Sequence, residues 1–294
     1  MFKVLFFIIL AFFLLRCTAR ENIVIVSNTP TQLIITEDNQ LKILSWNIKM
    51  LPAPYGWLLQ SNKRADHIIQ FLKASDPYDI IFFQEAFSGS IRRKIYAGLQ
   101  DIYPQQIEPE DQPTFYKINS GLWAISRLPI TLNKHIAFTQ FMEWDKLASK
   151  GAKLFSVIKA GQKFHLINTH MQSDSKIDYS DIRSSQYTEI NEKLILPNEE
   201  SEASLILCGD LNISNPIKLK LLLQKLKLIN GPILGTLQHS IVGRSKELMD
   251  YILVREDHSK FKSIKRRIID FSNKLKGKEY NLSDHYPIEA VISW

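Results

Sequence analysis

The sequence predicts a mixed α/β layered sandwich, and three observations point to it. Apolar or β-branched runs of strand length recur from residue 41 to residue 293, amphipathic stretches of helical spacing lie between several of them, and the middle of the chain is rich in strands. Because strand and helix alternate only in part, a doubly wound parallel sheet is not expected.

The strand-like runs are 41–48, 80–84, 122–126, 154–159, 164–169, 205–209, 251–255 and 286–293, each bounded by turn residues. Helical spacing is seen over 62–74, 88–99, 180–195 and 216–228, the third opened by Ser180-Asp181 as a cap. No internal repeat or low-complexity segment interrupts them. From residue 41 onward no stretch is rich enough in Pro, Gly or Ser to separate domains, so 41–294 is expected to be one domain. With 45% hydrophobic residues the chain can bury a sizeable core, which excludes disorder.

The first fifteen residues carry one early cation, Lys3, and then an apolar run of about a dozen residues, the length of a signal-peptide core and short for a membrane span. Three readings are open for the residues after this run. Cys17-Thr18-Ala19 suits cleavage at small residues; Leu14-Leu15-Arg16-Cys17 resembles a lipoprotein signal, against which Arg16 stands; an uncleaved anchor is the third. Residues 1–19 are therefore expected to be an export signal, with a secreted or periplasmic destination or a lipid anchor at Cys17. Residues 20–40 read as a linker or peripheral strand. The two cysteines, Cys17 and Cys208, give no disulfide framework, and Cys208 within Leu205-Ile206-Leu207-Cys208 reads as a buried small hydrophobe.

A net charge of +7 favours anionic partners, namely phosphate esters, nucleic acid or acidic lipid surfaces, without choosing among them. A basic protein with no polyanionic partner stays open.

Polar groups end or open the apolar runs at six places: Ser45-Trp46-Asn47, Gln84-Glu85, Asn168-Thr169-His170-Met171-Gln172, Gly209-Asp210-Leu211-Asn212, Met249-Asp250-Tyr251 and Ser283-Asp284-His285-Tyr286-Pro287. Strand ends are where layered scaffolds present chemistry from rigid elements. This succession resembles the endonuclease/exonuclease/phosphatase family, whose motifs run WN, QE, TH, GDxN, D and SDH in that order, and the resemblance covers residues 41–294. It implies a four-layer α-β-β-α sandwich of two packed mixed sheets, deoxyribonuclease-I-like, and a metal-dependent phosphodiesterase.

Phosphodiester hydrolysis needs charge neutralisation, an activated water and protonation of the leaving oxygen. Glu85 with Asn47 beside it offers hard oxygen ligands to Mg2+ or another hard divalent cation, and no spacing suggests structural zinc. His285 is the expected general base, oriented by Asp250. The resemblance places Asp284 near the metal and carries over His170, Asp210 and Asn212 as the groups that hold the scissile phosphate and its nucleophile, His170 donating to an oxygen or to the leaving group. Taken singly, Asn47, Asp210, Asn212 and Asp284 could be turn residues satisfying their own backbone, and His170 a bonded core imidazole. Glu85 is different, because a carboxylate directly after Ile80-Ile81-Phe82-Phe83 is costly to bury without a cationic partner. His67, His135, His165, His239 and His258 have no such placement.

Other segments are similar to the neutral sphingomyelinases, which split sphingomyelin into ceramide and phosphocholine with magnesium: Asn119-Ser120-Gly121-Leu122, Ser126-Arg127-Leu128-Pro129-Ile130, Ser149-Lys150-Gly151-Ala152 and Arg183-Ser184-Ser185-Gln186. Lys150, beside a flexible Gly151, is expected to approach the substrate phosphate, with Asn212 and His170 completing the binding set. Ser126-Arg127-Leu128-Pro129 reads as strand-end architecture. The chain departs from secreted members at Asn119, where some carry an acid, and at 260–281, where a basic stretch stands in place of an aromatic-tipped hairpin. That stretch, over 260–278, could contact an anionic leaflet or a nucleic-acid backbone, or be a solvated face. A monomer acting on phospholipid at a membrane surface is the leading expectation; an exported nuclease and a non-catalytic surface-binding protein are the alternatives.

Overall fold

The computed structural model describes residues 38–109, 117–243, 245–256, 261–271 and 281–294. The expected export signal, most of the 20–40 segment, and Lys260, Lys274, Lys276 and Lys278 of the basic stretch lie outside the described residues.

Two mixed sheets pack face to face. In chain order the strands are β1 (Gln40–Asn47), β2 (Ile80–Gln84), β3 (Gln105–Ile107), β4 (Trp123–Ser126), β5 (Ile130–Ala137), β6 (Gly151–Lys159), β7 (Gln162–His170), β8 (Ser204–Asp210), β9 (Leu228–Ile229), β10 (Ile233–Leu234), β11 (Asp250–Arg255), β12 (Ser263–Ile268) and β13 (Ile288–Ser293). Among the described residues, sheet one runs β10-β12-β13-β1-β2-β4-β3 and sheet two runs β5-β6-β7-β8-β11-β9. The helices are α1 (Tyr55–Leu58), α2 (Ser61–Ala74), α3 (Gly89–Leu99), α4 (Ser180–Ile190) and α5 (Pro216–Leu226).

Three apolar layers hold these elements together. Ile68, Phe71, Ile91 and Ile95 of α2 and α3 cover the outer face of sheet one through Trp46, Ile81, Phe83 and Trp123. Between the sheets, Ile43, Ile80 and Phe82 meet Phe155, Phe164, Ile206, Cys208 and Ile252. Ile190, Leu222 and Leu226 then cover the outer face of sheet two through Leu154, Ile167, Leu207 and Leu253. The four-layer α-β-β-α expectation therefore holds. Strands covered on both faces need apolar side chains at every position, which is why Ile80-Ile81-Phe82-Phe83 and Leu205-Ile206-Leu207-Cys208 are unbroken runs. Cys208 is buried in the inter-sheet layer, as its neighbours implied.

Every predicted strand is present, with ends moved by at most a few residues. β5 has no counterpart among the predicted strands: most of its residues are solvent-exposed, and its register with β6 shifts between Leu132 and Lys134, which breaks the period of two. β12 has none either, because it lies inside the basic stretch. Arg266 on this strand is buried and donates to the Ile252 carbonyl at 3.0 Å and to Asn230, so it is not a surface cation. Arg267 pairs with Glu289 at 2.7 Å. The expected cap of α4 is also corrected: Ser180 is the first helical residue, the N-cap position is Tyr179 with no side-chain cap bond, and Asp178 before it accepts from the Ser180 amide at 2.9 Å. The helical spacing read over 180–195 is α-helix only to Ile190 and then a π-turn over Asn191–Ile195.

The topology gathers the polar strand ends. β1 and β2 are parallel, pairing Asn47 with Gln84, and β7 and β8 are parallel, pairing His170 with Asp210. β11 runs antiparallel to β8 with Asp250 opposite Asp210, and β13 enters antiparallel to β1 just after His285. All six motifs thus open at one end of the sandwich. Gly209 fits this end because its φ is +144° and a Cβ there would stand 2.0 Å from the Thr169 carbonyl oxygen. Gly209→Ala is expected to destabilise by at least about 2 kcal/mol, read as a lower urea midpoint. An unchanged midpoint would show that the β7–β8 seam tolerates a side chain there.

Candidate active site

The site is a polar seam between the ends of the two sheets. Asn47, fully buried at the end of β1, donates through Nδ2 to Glu85 Oε1 and to Asp210 Oδ2, both at 3.0 Å. One amide therefore joins the expected metal carboxylate on sheet one to the expected phosphate-site carboxylate on sheet two. Below it, Gln84 Nε2 donates to Asn168 Oδ1 at 2.7 Å, and Asn168 Nδ2 donates to the Phe83 carbonyl at 3.2 Å, a second buried bridge across the sheets.

His285 Nδ1 lies 2.7 Å from Asp250 Oδ2, and its Nε2 lies 3.8 Å from Asp210 Oδ2. Burial pushes the imidazole toward neutrality, but the carboxylates of Asp250 and Asp210 overcome it and hold the ring protonated well above the ordinary histidine value. Burial and the facing Asp250 raise the Asp210 carboxyl, with His285 and Asn47 opposing. Asp250 Oδ1 is buried without a hydrogen-bond partner. His170 is the opposite case. Burial, Lys150 and His285 all lower its pKa, so it is a neutral imidazole, and its Nδ1 is buried without a partner.

Lys150 is buried, and its ammonium contacts Asp145 Oδ1 at 2.9 Å, the Met171 carbonyl at 3.0 Å and His170 Nε2 at 3.0 Å. Its donors are thus engaged by protein. Gly151 does not lend it flexibility, because a Cβ there would meet the Ile136 carbonyl at 1.9 Å; the glycine permits close strand packing. Asn212, at φ +52°, donates from its backbone to Asp210 Oδ1 at 3.0 Å and from its side chain to the Met171 carbonyl at 3.1 Å. The turn-residue reading of Asp210 and Asn212 is therefore true as well, and it fixes the carboxylate's orientation. Asn119 donates to the Phe87 carbonyl at 3.1 Å, so it braces the loop after Glu85. Ser126 bonds the Asp79 and Leu128 carbonyls, which is the architectural role expected of it.

Sequence reasoning missed three residues. Lys49 pairs with Asp284, and this pair together with His285 outweighs burial to hold the Asp284 carboxyl below the usual range. Asp145 anchors Lys150 and accepts from Ser173. Arg64 of α2 donates to the Leu282, Lys49 and Ile48 carbonyls, tying the first motif to the last. Lys49 stands two residues after Asn47, just beyond the first motif, and Asp145 and Arg64 sit in stretches with no pattern to mark them.

Two sets of groups could hold a cation. Asp210, Asp250 and His285 present ligand atoms within 4.8 Å of one another. However, the His285–Asp250 hydrogen bond already uses Nδ1, and a hard ion prefers oxygen. Glu85 and Asp284 are half-buried carboxylates with oxygens of the kind a hard ion prefers, whereas Asn47 turns Nδ2 toward Glu85 and its Oδ1 accepts from the Lys49 amide at 3.2 Å. The buried negative charge of Asp210 and Asp250, with one carboxylate oxygen orphaned, also calls for more positive charge than the site's own side chains bring.

Two packed mixed sheets closed by helices, with this acid–imidazole seam at one end, define the deoxyribonuclease-I-like class of fold. The chain belongs to the endonuclease/exonuclease/phosphatase family, whose sequence model matches residues 44–285. It is similar to phospholipase C of Staphylococcus aureus, 26% identical over 294 residues that cover 86% of this chain and 88% of that protein. It is also similar to sphingomyelinase C 2 of Leptospira interrogans, 27% identical over 210 residues covering 64% of this chain; the matched region spans only 33% of that longer relative. The crystal structure of a double mutant of the Staphylococcus aureus beta toxin with bound magnesium ions superposes with a TM-score of 0.71 at 23% identity, covering 85% of this chain and 99% of that one.

If Glu85 is a cation ligand, Mg2+ at a hundred times its dissociation constant stabilises the folded chain by about 2.7 kcal/mol. The melting temperature is then expected to rise by several degrees on adding Mg2+ to the native protein and not to rise in Glu85→Gln. An equal rise in both proteins would remove Glu85 from the ligand set.

Proposed function

We propose that residues 41–294 form the catalytic domain of an exported, metal-assisted phosphodiesterase that hydrolyses sphingomyelin or a related phospholipid to ceramide or diacylglycerol and a phosphorylated head group. The observation that carries this reading is the Asp250–His285 pair at 2.7 Å, set beside Asp210 and joined to Glu85 through Asn47. Nothing in a binding module requires a histidine to be oriented by a buried acid and aimed at a second acid.

Glu85, Asn47 and Asp284 would hold the divalent cation, which supplies charge neutralisation for the phosphate and for the crowded carboxylates. With a cation's charge offsetting Asp210 and Asp250, His285 would give up the proton those carboxylates hold on it and then take one from the attacking water through Nε2, while Asp250 fixes the tautomer and supports the charged ring. Asp210 and Asn212 position the water and the phosphate. His170, whose Nε2 lies 3.5 Å from Asp210 Oδ2 and 3.0 Å from the Lys150 ammonium, would donate to a phosphate oxygen, and Lys150 contributes positive charge. The substrate class rests on similarity to proteins described as sphingomyelinase C and phospholipase C. The buried position of Arg266 weakens a nucleic-acid reading of the basic stretch.

Choline-phosphate release from sphingomyelin vesicles in Mg2+, with and without chelator, tests the proposal. Turnover that chelator abolishes is expected, and absence of turnover on every phospholipid alongside cleavage of plasmid DNA or RNA would replace the substrate. In the same assay Asp250→Asn is expected to lower kcat by about 10²–10⁴-fold with little change in KM. A variant retaining full kcat would remove the pair from the chemistry.

A further inference from the structure

We infer that this chain docks on a lipid bilayer through large apolar side chains on the connections around the site mouth, chiefly Trp144 and Ile177 on the sheet-two side. The inference rests on the phospholipid reading and names the surface by which that substrate is reached. The site opens where β1 and β7 end. The segment after β7 carries Ile177, and the 3-10 turn Glu143–Leu147, which leads into β6 at the same end because β6 runs antiparallel to β7, carries Met142 and Trp144 at its start. The connection after β1 carries Trp57 and Leu58 on the sheet-one side. Relative exposures are 80% for Trp144, 71% for Trp57, 78% for Leu58 and 59% for Ile177. Buried apolar residues fill all three core layers, so leaving two tryptophans in water beside the mouth costs solubility with no gain in packing.

The sheet-two part is a built surface. Glu143 Oε1 accepts from Ser175 at 2.9 Å and from Tyr179 at 3.0 Å, which locks the Trp144 turn against the Ile177 loop. Asp174 pairs with Arg183 at 2.6 Å, and Asp178 pairs with Arg183 and Lys218, so these acids are spent on internal bonds. Lys146 and Lys176 remain exposed next to the two apolar tips. Tryptophan and isoleucine tips flanked by exposed lysines match the interfacial zone of a bilayer with acidic head groups: the rings seat at the head-group level and the ammonium groups meet phosphate. Asp145, next to Trp144, bonds Lys150 in the site. A surface seated there therefore lies one residue from the catalytic seam.

The test uses the full chain in chelator, so that binding is read without turnover, on vesicles of phosphatidylcholine and sphingomyelin with a fraction of phosphatidylserine. Trp144→Ser with Ile177→Ser is expected to weaken vesicle partitioning at least about tenfold. It should lower vesicle hydrolysis in parallel, while turnover of the water-soluble diester bis(p-nitrophenyl) phosphate in Mg2+ stays at the native level. Native-level vesicle binding by the double variant overturns the docking surface, as does loss of single-stranded DNA binding with vesicle binding intact. Native protein that binds vesicles but cleaves no phospholipid would sink the substrate proposal and leave the docking surface standing.

Discussion

Two aspartates face one another across β8 and β11, buried and directly opposite in register, and everything else at this end of the molecule answers to that repulsion. Two like charges in a poorly solvated seam cannot both stay ionised without help. Help comes from His285, held between them as a cation, and from the Asn47 amide, which donates to Asp210. Asp250 Oδ1 is still left without a donor. A seam so short of positive charge is poised to accept a cation and an activated water. It is an unstable thing to build for structure alone, since an apolar replacement of buried ion pairs is often neutral or stabilising.

The same seam joins the sheets. The inter-sheet layer is apolar through most of its depth, and at its end the contacts become Gln84 to Asn168, Asn47 to Asp210, and Asp250 to His285. Polar partners of fixed geometry set the relative position of the two sheets where it matters for chemistry, while the apolar interior supplies most of the cohesion. Parallel pairing of β1 with β2 and of β7 with β8 makes this arrangement, because parallel neighbours end at the same side.

Much of this was legible in the residues. Unbroken apolar runs marked strands covered on both faces, so the fold class was recoverable, and the polar groups at their ends lie together at one end of the sandwich. What was hidden has physical reasons. β5 is an exposed edge strand whose periodicity is broken by a register shift, and β12 carries the charges of a basic stretch that conceal its strand pattern, Arg266 being buried by bonds to a carbonyl and an asparagine from distant segments. Lys49, Asp145 and Arg64 act through contacts with residues far along the chain, which no local pattern records. Gly151 misled because a glycine needed for close strand approach looks, in sequence, like one needed for freedom.

On the proposed mechanism, Glu85 would hold a hard cation whose charge would offset the crowded carboxylates, and the Asp250–His285 pair would then be free to move a proton. Anomalous diffraction from crystals soaked in manganese reads the position of that ion directly. A peak at coordination distance from a Glu85 carboxylate oxygen is expected, with the His285 ring still bonded to Asp250. A peak enclosed by Asp210, Asp250 and His285, with the ring turned onto the metal, would contradict that mechanism.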